Sequence, residues 1–234
     1  MAEYDVMEEN LKVINEGGNL NRQVIKRIVK SIGNRVLEVG SGIGNISDLL
    51  LDRESLILTD YDKKYIILLK KKYAKRHNVR VIHYDITKDC ESIRKYKADT
   101  VLCMNVLEHI DDDMCALRNM HGILDKNGKL ILLVPLYPWL YSEIDKRVGH
   151  CRRYRPKELL SKLKKAGFHV RKHFFLNVLG IFGWWYNFKV KKKLVIPQSQ
   201  MRMYTSIAPA IYAVESSLNL PFGLDIVCIC EKKG

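Results

Sequence analysis

The 234-residue chain has no run of 18 apolar residues, so no segment is long enough to cross a bilayer as a helix. Its first residues show no apolar core of the signal-peptide kind, which points to the cytoplasm. Six cysteines stand at 90, 103, 115, 151, 228 and 230, and none forms a Cys-x-x-Cys pair. That excludes the common zinc and redox motifs and leaves reduced thiols as the expectation. No metal-ligand cluster is visible along the chain, and no internal repeat or low-complexity linker divides it. At this length, with 47% hydrophobic residues, a single domain with an elaborated end is expected.

Basic charge is abundant. Forty lysines and arginines against 26 acidic residues give a formal net charge of +14, a balance that suits nucleic acid or an anionic membrane surface. Many of the lysines (Lys63, Lys64, Lys70, Lys71, Lys72, Lys75, Lys162, Lys164 and Lys165) fall on helix faces, where such runs are ordinarily solvated. The chain also lacks an RNA-binding signature, so nucleic acid is not the expected partner.

The most informative segment is Val36 to Asn45, Val-Leu-Glu-Val-Gly-Ser-Gly-Ile-Gly-Asn. A β-branched and aliphatic run enters a turn with glycines at 40, 42 and 44, after which a helix is expected to open. Glycine at such a turn lets backbone come into contact with a ligand. A dinucleotide fingerprint would need its third glycine at position 45, where asparagine stands. The next strand, 55–59, ends in Asp60-Tyr61-Asp62. Asp60, about twenty residues past the turn, is placed to accept from ribose hydroxyls, and Asp62 to cap a helix over Lys63–Arg76. A third strand, 79–83, ends in Tyr84-Asp85-Ile86; Asp85 is either an acceptor for an exocyclic amine or a loop aspartate making a local turn bond. The fourth, 100–104, runs into Asn105-Val106-Leu107-Glu108-His109-Ile110 and three aspartates that start a helix.

Glu-x-Gly-x-Gly-x-Gly, two strand-tip aspartates and Asn-x-x-Glu-His, in this order over about residues 20–135, resemble the class I S-adenosylmethionine-dependent methyltransferases of the small-molecule type. No Asn-Pro-Pro-Tyr or Asp-Pro-Pro-Tyr follows the fourth strand, which disfavours a base-amine enzyme. The loop with Leu-Tyr-x-x-x-Asp and Gly-His-x-Arg-Arg-Tyr, between 136 and 154, is similar to a bacterial and archaeal subgroup, some of whose members are joined to glycosyltransferases. The resemblance implies a Rossmann-like α/β fold: a doubly wound seven-stranded sheet with an antiparallel last strand slipped between its neighbours. It also implies that Glu38, Gly40, Ser41, Gly42 and Gly44 hold the methionine part of S-adenosylmethionine, and that Asp60 and Tyr61 hold its ribose. Asp85 and Ile86 would hold the adenine, with Ile86 covering the ring, and Asn105 and Val106 the region by the sulfur.

The remaining elements are helices at 4–16 and 20–31, a helix at 114–124 and a turn at 126–128. A fifth strand, 129–135, is followed by a helix from Pro156 that Gly167 ends, and by strands near 169–175 and 225–231. The chain thus divides into an N-terminal helical cap (1–34), a cofactor core (35–175), an insert or lid (176–222) and a last strand (223–234). The expected reaction is in-line methyl transfer to an oxygen or nitrogen of a small-molecule or glycan-like acceptor. The alternatives are a protein or RNA methyltransferase, or a non-catalytic cofactor-binding scaffold. His109 and His150 are candidate bases, with Tyr141, Asp145 and Tyr154 as orienting groups. Two bland readings stand beside these: His109 as a packing residue, and Arg152-Arg153-Tyr154 as a salt-bridged clamp tying the loop to the glutamates below. The insert carries Phe182, Trp184, Trp185 and Tyr186 ahead of Lys189 to Lys193. It reads as a cap over the acceptor pocket or as an interfacial element at an anionic membrane, which would make the protein membrane-peripheral.

Overall fold

The structure, a computed structural model, describes residues 19–194, 198–218 and 220–233. The expected helix at 4–16 lies outside the described residues. Seven strands form one sheet: β1 (Arg35–Val39), β2 (Ser55–Asp60), β3 (Val79–His83), β4 (Ala98–Met104), β5 (Leu124–Pro135), β6 (Phe168–Leu176) and β7 (Asp225–Lys232). Their order is β3-β2-β1-β4-β5-β7-β6. β1 to β5 run parallel, and β7 lies antiparallel between β5 and β6, as the resemblance implies.

Both faces of the sheet are covered, which is why the central strands read as near-continuous apolar runs. On one face Leu37, Val39, Val101, Cys103, Leu130 and Leu132 meet Ala116, Leu117 and Met120 of helix α4 (Asp113–Ile123) and Leu159 and Leu163 of α6 (Pro156–Lys165). On the other, Val36, Leu56, Leu58, Leu102 and Ile131 meet Val24, Ile25 and Ile28 of α1 (Asn19–Ile28) and Leu69 of α2 (Lys63–Lys72). Asp62 caps α2 by accepting from the Lys64 N–H at 2.8 Å, as expected. α3 (Glu91–Arg94) and α5 (Glu143–Arg147) are single turns.

Two local expectations change. No α-helix follows the glycine turn; the ten residues left before β2 form only a 3₁₀ turn, Ser47–Leu49. The turn at 126–128 is instead a bulge in β5: Leu124 pairs with Ala98 and Lys129 with Thr100, and Asn127 takes up the surplus residues at φ +60°. The insert is largely helical, with α7 (Val178–Trp184), a π-helical turn (Trp185–Val190) and α8 (Gln198–Leu218). α8 returns across the sheet face and adds Ala208 and Tyr212 to the core that holds α1.

The insert's entry is tied by one carboxylate. Glu215 of α8 is buried and accepts from the N–H groups of Asn177 (3.1 Å) and Val178 (2.8 Å) at the start of α7. Those N–H groups have no partner within the helix they begin. Glu215→Ala should lower unfolding stability by about 2–3 kcal/mol, the range for losing hydrogen bonds to a buried charged group. Urea denaturation checks this; a loss below about 0.5 kcal/mol would mean the insert is held by apolar contacts alone.

Candidate active site

The glycine turn leaves β1 with Gly40, Gly42 and Gly44 at φ of +67°, +52° and +83°. Side chains are excluded for different reasons. A Cβ on Gly40 would come within 2.5 Å of the Val106 side chain, whereas one on Gly42 would meet nothing within 4 Å. Gly42 is thus bare backbone facing open space, the feature a close-lying ligand requires.

Buried carboxylates hold this turn. Asp60 accepts from the Gly42 N–H with one oxygen and from the Asp62 N–H with the other, both at 2.9 Å. Burial raises its pKa, and those backbone bonds work against the rise. Each oxygen keeps a further lone pair for a hydroxyl. Tyr61 beside it is exposed, and Ser41 is buried with its N–H on Thr59 O at 2.9 Å. Glu38 accepts from the Ser47 hydroxyl; burial pushes its carboxyl up to about 7 despite help from Ser47 and Ser41. Lys72 and Tyr73, at the end of α2, reach the turn from below. Lys72 bonds Ile43 O (3.0 Å) and Asp48 (2.6 Å), and Tyr73 bonds Gly44 O (3.1 Å) and Asp48 (2.8 Å). Sequence reasoning missed these supports, because Lys72 read there as part of a solvated lysine-rich face and Tyr73 carried no signal of its own.

At the tip of β3, Asp85 spends one oxygen on a local turn, accepting from Thr87 N–H (2.9 Å) and Thr87 Oγ1 (2.7 Å). The Ile86 side chain is buried in the core with Tyr84 and Ile93, and Asn119 Nδ2 donates to the Ile86 carbonyl at 2.7 Å.

At the tip of β4, Asn105 adopts φ +55° and donates its N–H to Leu133 O at 2.9 Å. Its side chain lies 3.4 Å from Glu108 Oε1. Glu108 is fully buried, its pKa is raised to about 7 by that burial, and its Oε2 has no hydrogen-bond partner. His150 Nε2 lies 4.0 Å from Oε1. The rings of His109 and His150 stand edge to face, 4.6 Å apart. Burial, followed by His150, lowers the His109 pKa to about 4, so its imidazole is neutral at ordinary pH. One donor atom each from Glu108, His109 and His150 can be chosen so that all lie within 4.8 Å. No motif foretold that cluster, since 41 residues separate its two histidines.

Asp145 organises the loop after β5. It accepts from Ser142 N–H (2.9 Å), Ser142 Oγ (3.1 Å), His150 Nδ1 (2.9 Å) and Arg153 Nε (2.8 Å). Burial alone would raise its pKa, but the bond from His150 and the charge of Arg153 hold it below the usual carboxylate range. Tyr141 donates to His150 O at 2.7 Å. Arg152 binds Ile110 O and Asp111 O, each at 2.9 Å, and pairs with Asp113. Tyr154 is fully buried and donates to Asp113 at 2.9 Å. The three consecutive residues form a clamp, and its anchors are Asp111, Asp113 and Asp145 rather than glutamates. A hydroxyl with no exposed surface cannot touch an acceptor, so Tyr154 anchors the loop and does not orient the substrate directly. The insert closes on this loop: Trp184 lies over the Arg153 guanidinium at 4.3 Å, and Lys189 donates to Tyr141 O at 2.8 Å. Trp185 faces solvent.

The state of Glu38 has a pH signature. The unfolded chain ionises this group near 4.5 and the folded one near 7. The native state therefore binds the extra proton, and stability falls as pH rises across that window. The loss from this group should approach about 3 kcal/mol, at about 1.4 kcal/mol per pKa unit. Glu38→Gln should lose visibly less between pH 5 and 8 in chemical denaturation. Equal losses in both proteins would show that Glu38 titrates normally.

Comparison with known proteins agrees with this geometry. A family model described as a methyltransferase domain matches residues 14–173. Probable polyketide synthase 42 of Dictyostelium discoideum is 26% identical over 160 residues, which is 57% of this chain and 6% of that protein. Probable polyketide synthase 34 of the same organism is 25% identical over 166 residues, 59% of this chain and 5% of that one. The chain thus spans about one-twentieth of the length of these relatives. Among solved structures, a SAM-dependent methyltransferase from Archaeoglobus fulgidus aligns with TM-score 0.59 and 20% identity over 91% of this chain and 94% of its own. The N-methyltransferase NodS from Bradyrhizobium japonicum, in complex with S-adenosyl-L-homocysteine, aligns with 0.58 and 11% over 91% and 85%. The [4+2]-cyclase SpnF aligns with 0.61 and 16% over 92% and 81%; its reaction differs, so likeness at this level carries architecture alone. With the family match over more than half its length, the chain belongs to the methyltransferase domain family.

Proposed function

We propose that this chain, read as one unit over 1–234, methylates an oxygen or nitrogen of a small-molecule or glycan-like acceptor held under the loop at 137–154. The observation that supports it is the division of labour at the strand tips. The turn at Gly40–Gly44 and Asp60 stand above β1 and β2, and the Glu108–His109–His150 group stands above β4 and β5, with Asn105 bonded to Glu108 between them. Ligands of open α/β sheets belong at such tips. The open backbone at Gly42 and the spare lone pairs of Asp60 fit the cofactor's methionine and ribose parts, and Asp85 and Asn105 flank them. When bound, S-adenosylmethionine supplies an electrophilic methyl group on a sulfonium.

The chain's own residues then hold the acceptor atom in line and exclude water. An oxygen acceptor needs a base within reach, whereas an amine needs only to be neutral. His109 and His150 are the nitrogen bases at this end, and Asp145 and Tyr141 fix His150 from behind. Trp184, laid on Arg153, gives the acceptor side an apolar wall, which supports the insert as a lid. Likeness to probable polyketide synthases and to the N-methyltransferase NodS also favours a small acceptor over protein or RNA.

Labelled methyl transfer from S-adenosylmethionine into cell extract tests this directly. Label should enter a low-mass fraction and survive nuclease and protease; label lost to either enzyme would assign a macromolecular acceptor. Asp60→Asn should weaken binding of S-adenosyl-L-homocysteine by about 10- to 100-fold, from about 1.5–3 kcal/mol per hydrogen bond to a charged group. Calorimetry showing unchanged affinity would move the ribose site elsewhere.

Exposure of Leu179, Phe182, Trp185, Tyr186 and Val190, beside Lys189 and Lys191–Lys193, favours a second reading, contact with an anionic membrane surface. No helix of the described residues is long and apolar enough to cross a membrane, so contact would be peripheral. Sedimentation with phosphatidylserine vesicles should then show binding that Trp185→Ala weakens and salt suppresses. Equal recovery with neutral vesicles would exclude it.

A further inference from the structure

We infer that Glu108, His109 and His150 form a binding site for a divalent transition-metal ion at the acceptor end of the sheet. Among the described residues, these three offer donor atoms within 4.8 Å of one another.

The carboxylate gives the first reason. Glu108 is fully buried, and its Oε2 has no hydrogen-bond partner. Buried carboxylate oxygens are normally satisfied by donors or by a cation. A metal ion is the partner that answers both the charge and the open lone pairs.

The histidines give the second. His150 directs Nδ1 at Asp145 Oδ1, 2.9 Å away, which places the proton on Nδ1 and turns Nε2 toward Glu108 at 4.0 Å. Carboxylate behind imidazole is the arrangement that orients metal-binding histidines and raises their basicity. Asp145 is itself fixed by Ser142 and Arg153, so the orientation is built into the fold rather than left to rotamer chance. His109 hydrogen-bonds the backbone of Gly149 and sets its ring edge to face with that of His150.

Donor type and spacing narrow the ion. Two imidazoles and one carboxylate suit Zn²⁺, Co²⁺, Mn²⁺ or Fe²⁺ better than Mg²⁺ or Ca²⁺, which prefer oxygen-only sets. Metal–ligand bonds of about 2.0–2.2 Å place neighbouring donors roughly 3.0–3.5 Å apart. The 4.0 Å between Glu108 Oε1 and His150 Nε2, and the 4.8 Å limit over all three donors, therefore close by side-chain movements of roughly 0.5–2 Å. Three protein ligands leave at least one position open, the pattern of a metal that meets substrate. An acceptor oxygen bound there would be oriented and made more acidic, and the imidazoles would then serve as ligands in place of bases. That role rests on the methyl-transfer reading above; binding of the ion does not.

The test uses the full chain, stripped with chelator and titrated with Co²⁺ by visible absorption and with Zn²⁺ by calorimetry. One equivalent of Co²⁺ should give bands stronger than those of the aqueous ion. Glu108→Gln, His109→Ala and His150→Ala should each weaken binding at least about tenfold, with circular dichroism confirming the fold. If Glu108→Gln fails to fold, the two histidine variants carry the same comparison. An aqueous-like Co²⁺ spectrum, variants that bind as tightly as the parent, or a thiolate charge-transfer band assigning the ion to cysteine would each overturn the site. S-adenosyl-L-homocysteine affinity is measured on the same samples. Its absence with Co²⁺ binding intact would overturn the methyl-transfer reading alone, and the reverse result would overturn the metal site alone.

Discussion

Between β1 and β4 the chain reverses the direction in which it adds strands, so the two connections leave on opposite sides and a crevice opens between the strand ends. Everything functional in this protein depends on how that crevice is lined. The strand ends are not loose: Ser41 N–H bonds Thr59 O, Tyr84 N–H bonds Asp60 O, and Asn105 N–H bonds Leu133 O. Each segment leaving a strand is thereby tied to the end of its neighbour. Residues 38–42, 60–62 and 105–109 inherit the rigidity of the sheet, although most of them lie outside regular structure.

The chemistry of the crevice runs against the chain's overall charge. A protein with a formal net charge of +14 builds this region around buried carboxylates: Glu38, Asp60, Glu108 and Asp145. Burying a carboxylate is costly unless it is paired or hydrogen-bonded. The cost is met unevenly. Asp145 has Arg153 and His150, and Asp60 has two backbone N–H groups. Glu38 has hydroxyl partners, and Glu108 has one long amide contact with its second oxygen left open. These are the two carboxyls that burial raises to about 7.

The insert shows how a segment of little internal stability acquires a defined place. α7 and the π-helical turn expose much of their apolar surface, and they are fixed by few contacts: Glu215 at the entry, Trp184 on Arg153, Asn187 on Gly183 O, and Lys189 on Tyr141 O. Two of those contacts, Trp184 on Arg153 and Lys189 on Tyr141 O, fall on the loop after β5. Regions with few buried contacts occupy the low-stability end of a fold, where ligand-gated motion is found.

Much of the architecture was legible from residue order. The apolar runs at 35–39, 55–59, 79–83 and 100–104, the glycines at 40, 42 and 44, and the polar residues at successive strand tips are local signals. They arise from backbone sterics and strand burial, which a sequence records directly. What failed locally was also physical: the ten residues between turn and strand form a single 3₁₀ turn, and Asn127 adopts positive φ and so absorbs a bulge. The site's connections were illegible for another reason. That Tyr154 is an anchor, that Asp145 points His150 at Glu108, and that Lys72 braces the glycine turn all depend on side chains meeting groups 5 to 42 positions away across the fold. Composition and spacing determined which chemical groups the chain has and which strand end each follows. Only the tertiary structure decided which of them are buried and whom they face, because burial and partnership are properties of packed surfaces and not of neighbouring letters.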